Sequence, residues 1–192
     1  FTATGLVGFG HVGINYRYLD EELVDLCNSL DIRVLVYDEE FASHVAAIRP
    51  HLTETVGFIE VPQHVVDGTA ATRTAPVNAF AVSITDLYER DASDFKRTTS
   101  GDDLILMATG GTTGLPKGTQ WRHEDLWYKM KTSQGNGLAV LDLADHPATL
   151  REHIANVQRI APQQGFMLLS PLMHGAALLM SMVMIAQGAP VV

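Results

Sequence analysis

Thr109-Gly110-Gly111-Thr112-Thr113-Gly114-Leu115-Pro116-Lys117-Gly118 is the stretch of this chain whose residue types and spacing best suit chemistry. It lies between the apolar run Leu104-Ile105-Leu106-Met107-Ala108 and a short predicted strand around Thr119-Gln120-Trp121. Glycines lack a Cβ, so a loop built on them can curl until successive backbone N–H groups point inward, a nest that suits an oxyanion. The Thr hydroxyls add donors and can approach a metal, and Lys117 adds a compact positive charge. These groups together suit a triphosphate. They do not form the P-loop of ATPases and GTPases, which has Gly directly before the Lys and Ser or Thr directly after it. Here Pro116 and Gly118 hold those places. A Gly/Thr-rich surface turn is the plainer alternative, and ten positions in this order argue against it.

A second set is Pro171-Leu172-Met173-His174-Gly175, placed after a predicted strand over Phe166–Leu169 and at the start of an apolar helix. A residue between a strand's C-terminal end and a helix N-terminus sits where open α/β sheets bind ligands. The His174 imidazole can donate to a carboxylate or an acyl-phosphate oxygen, or it can simply cap the helix. The other histidines (His11, His44, His51, His64, His123, His146 and His153) are scattered without zinc-ligand spacing. His123, Glu124 and Asp125 read as a structural helix start. Met173, Met180, Met182 and Met184 read as plastic core, with an acyl channel as the alternative.

Alternating strands and helices must carry these sets, which predicts an α/β fold with a mainly parallel sheet and helices on both faces. His11–Tyr16 reads as a strand, followed by a helix with Asp20 as N-cap, Glu21 and Glu22 in its first turn, and Leu23, Leu26, Cys27 and Leu30 on one face. Arg33–Tyr37 reads as a continuous apolar strand of the buried parallel kind and Thr55–Val61 as another strand, around a helix with Phe41, Val45 and Ile48, stopped by Pro50. Pro62–Ala81 reads as a long loop, Ile84–Arg90 as a short helix and Leu104–Ala108 as the strand entering the glycine stretch. Leu126 and Met130 mark the next helix, and Gly135–His146 reads as a surface excursion. Pro147 opens a helix with Leu150, Ile154 and Val157 in register. The apolar helix Ala176–Gln187 stops at Gly188.

The glycine stretch resembles the phosphate-binding signature of the adenylate-forming superfamily, which includes acyl- and aryl-CoA synthetases, firefly luciferase and the adenylation domains of peptide synthetases. The usual form is an aromatic residue followed by T-S-G-T-T-G-x-P-K-G; here Ala108 replaces the aromatic residue and Gly110 the Ser. The lead-in Ser100-Gly101-Asp102-Asp103 and the continuation Trp121-Arg122-His123-Glu124-Asp125-Leu126 are most similar to acyl-CoA synthetases of fatty-acid type, and Val12–Tyr18 is similar to an early strand–loop–helix stretch of the family. The resemblance implies part of the large N-terminal domain of such an enzyme, and activation of a small-molecule carboxylic acid by ATP and Mg2+ to an acyl-adenylate, then transfer to CoA. It implies that Thr109, Gly110, Gly111, Thr112, Thr113, Gly114 and Lys117 hold the leaving phosphates. It also implies that His174, on the His position of a P-x-x-H-x-x segment, lines the carboxylate pocket, so that Lys117 and His174 are the catalytic candidates. The family's Y-G-x-T-E segment with its magnesium-linked Glu, its T-G-D aspartate, its hinge and its C-terminal catalytic Lys are not found in these 192 residues. Both ends read as cut, so the expectation is a fragment inactive by itself; a nucleotide- or partner-binding fragment without catalysis is the alternative.

Composition narrows the rest. With 192 residues and 46% hydrophobic content the chain can bury a core as one domain or part of one. The net charge of −9 with no basic patch argues against nucleic acid as a partner. A single cysteine, Cys27, excludes an internal disulfide and fits a reducing cytoplasm. The longest largely apolar run, Ala176–Ala186, has eleven residues, short of a membrane span.

Overall fold

The computed structural model describes residues 8–66, 75–91, 93–94, 96, 99–111, 114–131, 149–160, 167–186 and 188–192. In chain order the elements are β1 (His11–Gly13), α1 (Asp20–Ser29), β2 (Val34–Asp38), α2 (Ala42–Ile48), β3 (Gly57–Val61), α3 (Gln63–Val66), β4 (Val82–Ser83), α4 (Ile84–Tyr88), β5 (Leu104–Gly111), β6 (Gly114–Arg122), α5 (His123–Lys131), α6 (Leu150–Ile160) and α7 (Gly175–Ala186). The chain divides into two compact units. One comprises Phe1–Asn15, Arg97–Thr109 and Gly118–Val192, the other Tyr16–Lys96 and Gly110–Lys117.

In the second unit β2, β3 and β4 pair in parallel and in chain order. Strand periodicity sends Leu35, Tyr37, Phe58 and Glu60 to one face, where they are buried. Val34 and Val36 on the other face stay exposed at 43% and 55%. Leu26 and Cys27 of α1 and Ala42, Val45 and Ile48 of α2 complete the core. Burial pushes the Cys27 thiol up to about 11, as suits a small core residue. The α1 N-cap is Leu19, one residue earlier than predicted. Glu22 accepts the Leu19 N–H at 2.8 Å, and Asp20 takes a first-turn place, where the helix dipole favours it equally well. α1 ends with Asp31 at φ 50° and the Ile32 N–H on the Cys27 carbonyl. Beyond α2 the chain keeps a helical course through a 3₁₀ turn, Arg49–His51, which accommodates Pro50.

The predicted loop Pro62–Ala81 is partly structured. α3 occupies its start, with the Gln63 N–H on the Glu39 carboxylate at 2.9 Å, and residues 67–74 lie outside the described residues. Its last part is fastened to Glu60, which is 1% exposed. The Glu60 carboxylate accepts the Val77 N–H at 2.6 Å, the Asn78 N–H at 3.4 Å and the Tyr37 hydroxyl at 3.0 Å. The Asn78 amide donates in turn to Tyr37 Oη at 3.1 Å and to the Ala42 carbonyl at 2.8 Å. Burial, and then the Glu60 carboxylate, push the Tyr37 hydroxyl up to about 12 against the lowering effect of Asn78.

The first unit is built on the order β1–β5–β6, with β1 parallel to β5. Neighbouring strands joined by two residues can only run antiparallel, so β5 and β6 form a hairpin and the sheet is mixed. Ile105, Met107 and Leu126 form its core, flanked by Trp121, Leu179 and Met182. The predicted strand over Phe166–Leu169 does not form in its described part, residues 167–169. There the Leu168 N–H meets the Val192 carbonyl at 2.8 Å, and Leu169 is 88% exposed. The register predicted for α6 is also corrected. His153 is buried beside the Trp127 ring, with centroids 4.9 Å apart, whereas Ile154 is 47% exposed. The excursion 135–146 and Pro147 lie outside the described residues. α7 stops as expected: Gly188 has φ 75°, its N–H reaches Ile185 O, and the Ala189 N–H reaches Met184 O. Among the described residues no helix is long and apolar enough to cross a membrane.

Candidate functional site

β5 runs past Ala108 through Thr109, Gly110 and Gly111, and Gly114 already begins β6, which returns through Pro116 and Lys117 to Arg122. The predicted ten-residue loop is therefore much tighter, leaving only residues 112–113 between the strands. Thr favours extended backbone, and glycines at strand ends disturb few side-chain contacts. Among the described strands β6 is the last in the order β1–β5–β6, and an edge strand tolerates the donor that Pro116 lacks. Thr112 and Thr113, with the side chains of Thr109 and Lys117, lie outside the described residues.

The base of the hairpin is clamped twice. Thr119 Oγ1 donates to the Met107 carbonyl at 3.2 Å, tying β6 to β5. At the open end the Arg122 guanidinium meets Asp102 at 2.6 Å, Glu124 at 3.1 Å and Asp125 at 3.4 Å. The turn before β5 is held to the first turn of α5 by backbone bonds, His123 N to Asp103 O at 2.8 Å and Glu124 N to Gly101 O at 3.0 Å. Glu124 and Asp125 also sit at the favourable end of the α5 dipole. His123, Glu124 and Asp125 thus form a structural helix start, with His123 as its first residue. Sequence reading missed the role of Arg122, although an Arg beside an Asp-rich turn and an acidic helix start was a visible signal.

His174 lies directly before α7, where its N–H meets the Pro171 carbonyl at 3.0 Å and its own carbonyl accepts the Leu178 N–H at 3.0 Å. Its backbone does the work of a helix start and its side chain is exposed. The same segment touches the sheet floor: Met173 packs over Gly13 and Gly175 over Met107, partners on adjacent strands. Sequence reading overlooked both contacts, because nothing in a strand's own pattern marks the helix start that will press on it.

The glycine stretch offers backbone amides, Thr hydroxyls and one ammonium as donors, and no carboxylate. That set fits the phosphates of ATP, and Mg2+ carried with them would draw its carboxylate ligands from elsewhere. Among the described residues no cluster of three or more His, Cys, Asp or Glu side chains has the arrangement of a metal site.

Known proteins share both sequence and architecture with this chain. It is 30% identical over 183 residues to the medium-chain acyl-CoA ligase Mig of Mycobacterium avium, covering 93% of this chain and 30% of that one. It is 36% identical over 116 residues to a medium/long-chain-fatty-acid–CoA/3-oxocholest-4-en-26-oate–CoA ligase of Mycobacterium marinum, covering 60% and 21%. The chain therefore spans only about a fifth to a third of the length of such curated relatives. Among solved structures, a long-chain-fatty-acid CoA ligase of Rhodopseudomonas palustris, described as putative, superposes with TM-score 0.62 at 16% identity over 98% of this chain and 39% of that one. Acetoacetyl-CoA synthetase of Streptomyces lividans does so with TM-score 0.63 at 17% identity over 98% and 26%. These two likenesses are of fold. The family model of AMP-binding enzymes matches residues 1–192, and the chain belongs to that family.

Proposed function

We propose that these residues are part of the N-terminal AMP-binding domain of a cytoplasmic acid–thiol ligase that converts a carboxylic acid, a fatty acid of medium or long chain, to its CoA thioester. The observation that carries this reading is the Thr109–Gly118 donor set at the turn of the β5–β6 hairpin, in a chain 30% identical over 93% of its length to an acyl-CoA ligase.

A carboxylate is a poor electrophile and must be activated. Its oxygen forms a bond to the α-phosphorus of ATP while the bond from that phosphorus to the bridging oxygen breaks, and pyrophosphate leaves. The CoA thiol then attacks the acyl carbon of the acyl-adenylate, AMP departs with the electron pair, and the thiol proton passes to solvent. Such transfers are accelerated by positioning and charge neutralisation. Amides of Gly110, Gly111 and Gly114, hydroxyls of Thr109, Thr112 and Thr113 and the Lys117 ammonium hold the β- and γ-phosphates. Mg2+ bound with the nucleotide would supply further charge neutralisation there. His174 donates at the carboxylate end of the acid.

The full-length enzyme, given ATP, Mg2+, CoA and saturated acids from acetate to palmitate, is expected to form acyl-CoA detectable by mass spectrometry, with its best rate among the medium and long chains. Residues 1–192 alone are expected to form none. Failure of the full-length enzyme with every acid, at saturating ATP and CoA, would contradict the reading.

A further inference from the structure

The segment bearing His174 rests on the β1–β5 floor through two approaches closer than ordinary Cβ contacts. Gly13 ends β1, and Met107 is its partner in β5. A Cβ at Gly13 would lie 3.3 Å from the Met173 carbonyl oxygen, and a Cβ at Gly175 would lie 2.7 Å from Met107 Sδ. His174 is thus fixed between two neighbours seated on adjacent strands, while its own side chain is exposed. Met107 is 8% exposed and packs with Ile105 and Leu126 against Leu179 and Met182 of α7, so its sulfur cannot retreat freely. Backbone conformation does not demand glycine at 175, since the positive-φ glycines among the described residues are Gly8 and Gly188. Alanine is ordinarily the better helix former. The glycine therefore serves close approach.

We propose that Gly175 and Met107 are positioning residues that set the height of His174 over the β1–β5 floor and thereby tune recognition of the acid's carboxylate. This rests on the reading of His174 as the group facing that carboxylate. Relieving a 2.7 Å approach to ordinary contact takes a shift of about 1 Å, shared between the start of α7 and the packed Met107 side chain. A misplacement of that size in a reacting constellation costs up to about a hundredfold in rate.

The test is acid-dependent ATP–pyrophosphate exchange by the full-length enzyme. Gly175→Ala is expected to lower kcat/KM for the fatty acid roughly tenfold to a hundredfold, with the KM for ATP within about twofold of wild type. Met107→Ala added to Gly175→Ala is expected to restore most of the loss. Should that double variant be insoluble, Met107→Val, which also removes Sδ and suits a strand, takes its place. His174→Ala is run in parallel and is expected to impair the acid side alike. Wild-type acid kinetics in Gly175→Ala, or an equal loss toward acid and ATP that neither Met107 variant rescues, would overturn the positioning role. If His174→Ala leaves acid kinetics untouched, the reading of His174 fails and the proposal falls with it. If only His174→Ala shows the effect, the reading stands and the positioning role alone is wrong.

Discussion

Replacing Lys117 by Ala in the full-length enzyme is expected to slow acid-dependent pyrophosphate exchange roughly tenfold to a hundredfold, because a charge-assisted contact to a phosphate is worth ~1.5–3 kcal/mol. The rest of the Thr109–Gly118 stretch supplies neutral donors, so Lys117 is its sole formal charge. The loss should fall on both the KM for ATP and the rate, since the leaving pyrophosphate carries more charge on its released oxygen than bound ATP does. Lys117→Arg should recover part of the activity, limited by the different reach and planar shape of the guanidinium. An unchanged exchange rate in a folded Lys117→Ala enzyme removes this residue from the mechanism.

The largest stability effect is expected at Glu60. Removing its buried carboxylate strands the buried Tyr37 hydroxyl and takes their acceptor from the part-buried N–H groups of Val77 and Asn78. An unsatisfied buried donor costs on the order of 1–3 kcal/mol, so Glu60→Ala should destabilise the second unit by roughly 1–3 kcal/mol, Glu60→Gln by less. Amide hydrogen exchange of peptides covering residues 75–83 reads this directly, and wild-type protection in Glu60→Ala would contradict it. The same node has a pH signature. Tyr37 is raised in the folded state to about 12, above its ordinary value of 10.0. Its contribution is therefore fully present below about pH 10 and lost as pH rises toward 12. That slope should be absent in Tyr37→Phe.

Much of this architecture was legible in residue patterns. The continuous apolar runs at Val34–Tyr37 and Leu104–Ala108 are strands as read, although β2 buries Leu35 and Tyr37 and leaves Val34 and Val36 exposed, so its run overstated the burial of its second face. Gly188 ends α7 because a left-handed residue was needed there. Misses arose where tertiary contacts overrode local signals. His153 displaced Ile154 from the buried face of α6 because the Trp127 ring offers it a partner. The glycine stretch looked like an open loop, yet pairing with a neighbouring strand extended both ends toward residues 112–113. Residues 167–169 have strand-like composition, yet what they meet is the C-terminal end, through the Leu168 N–H on the Val192 carbonyl. At the site itself, donor chemistry was readable from Thr109–Lys117, whereas the seating of His174 through Gly13, Met107 and Gly175 required coordinates.

Whether the Thr109–Gly118 stretch serves adenylation of a carboxylic acid is read by incorporation of labelled pyrophosphate into ATP by the full-length enzyme. Exchange is expected to require a fatty acid and Mg2+ and to proceed without CoA, because the adenylate forms before the thiol enters. Exchange that ignores the acid, or none with any chain length from acetate to palmitate while ATP still binds, would contradict it.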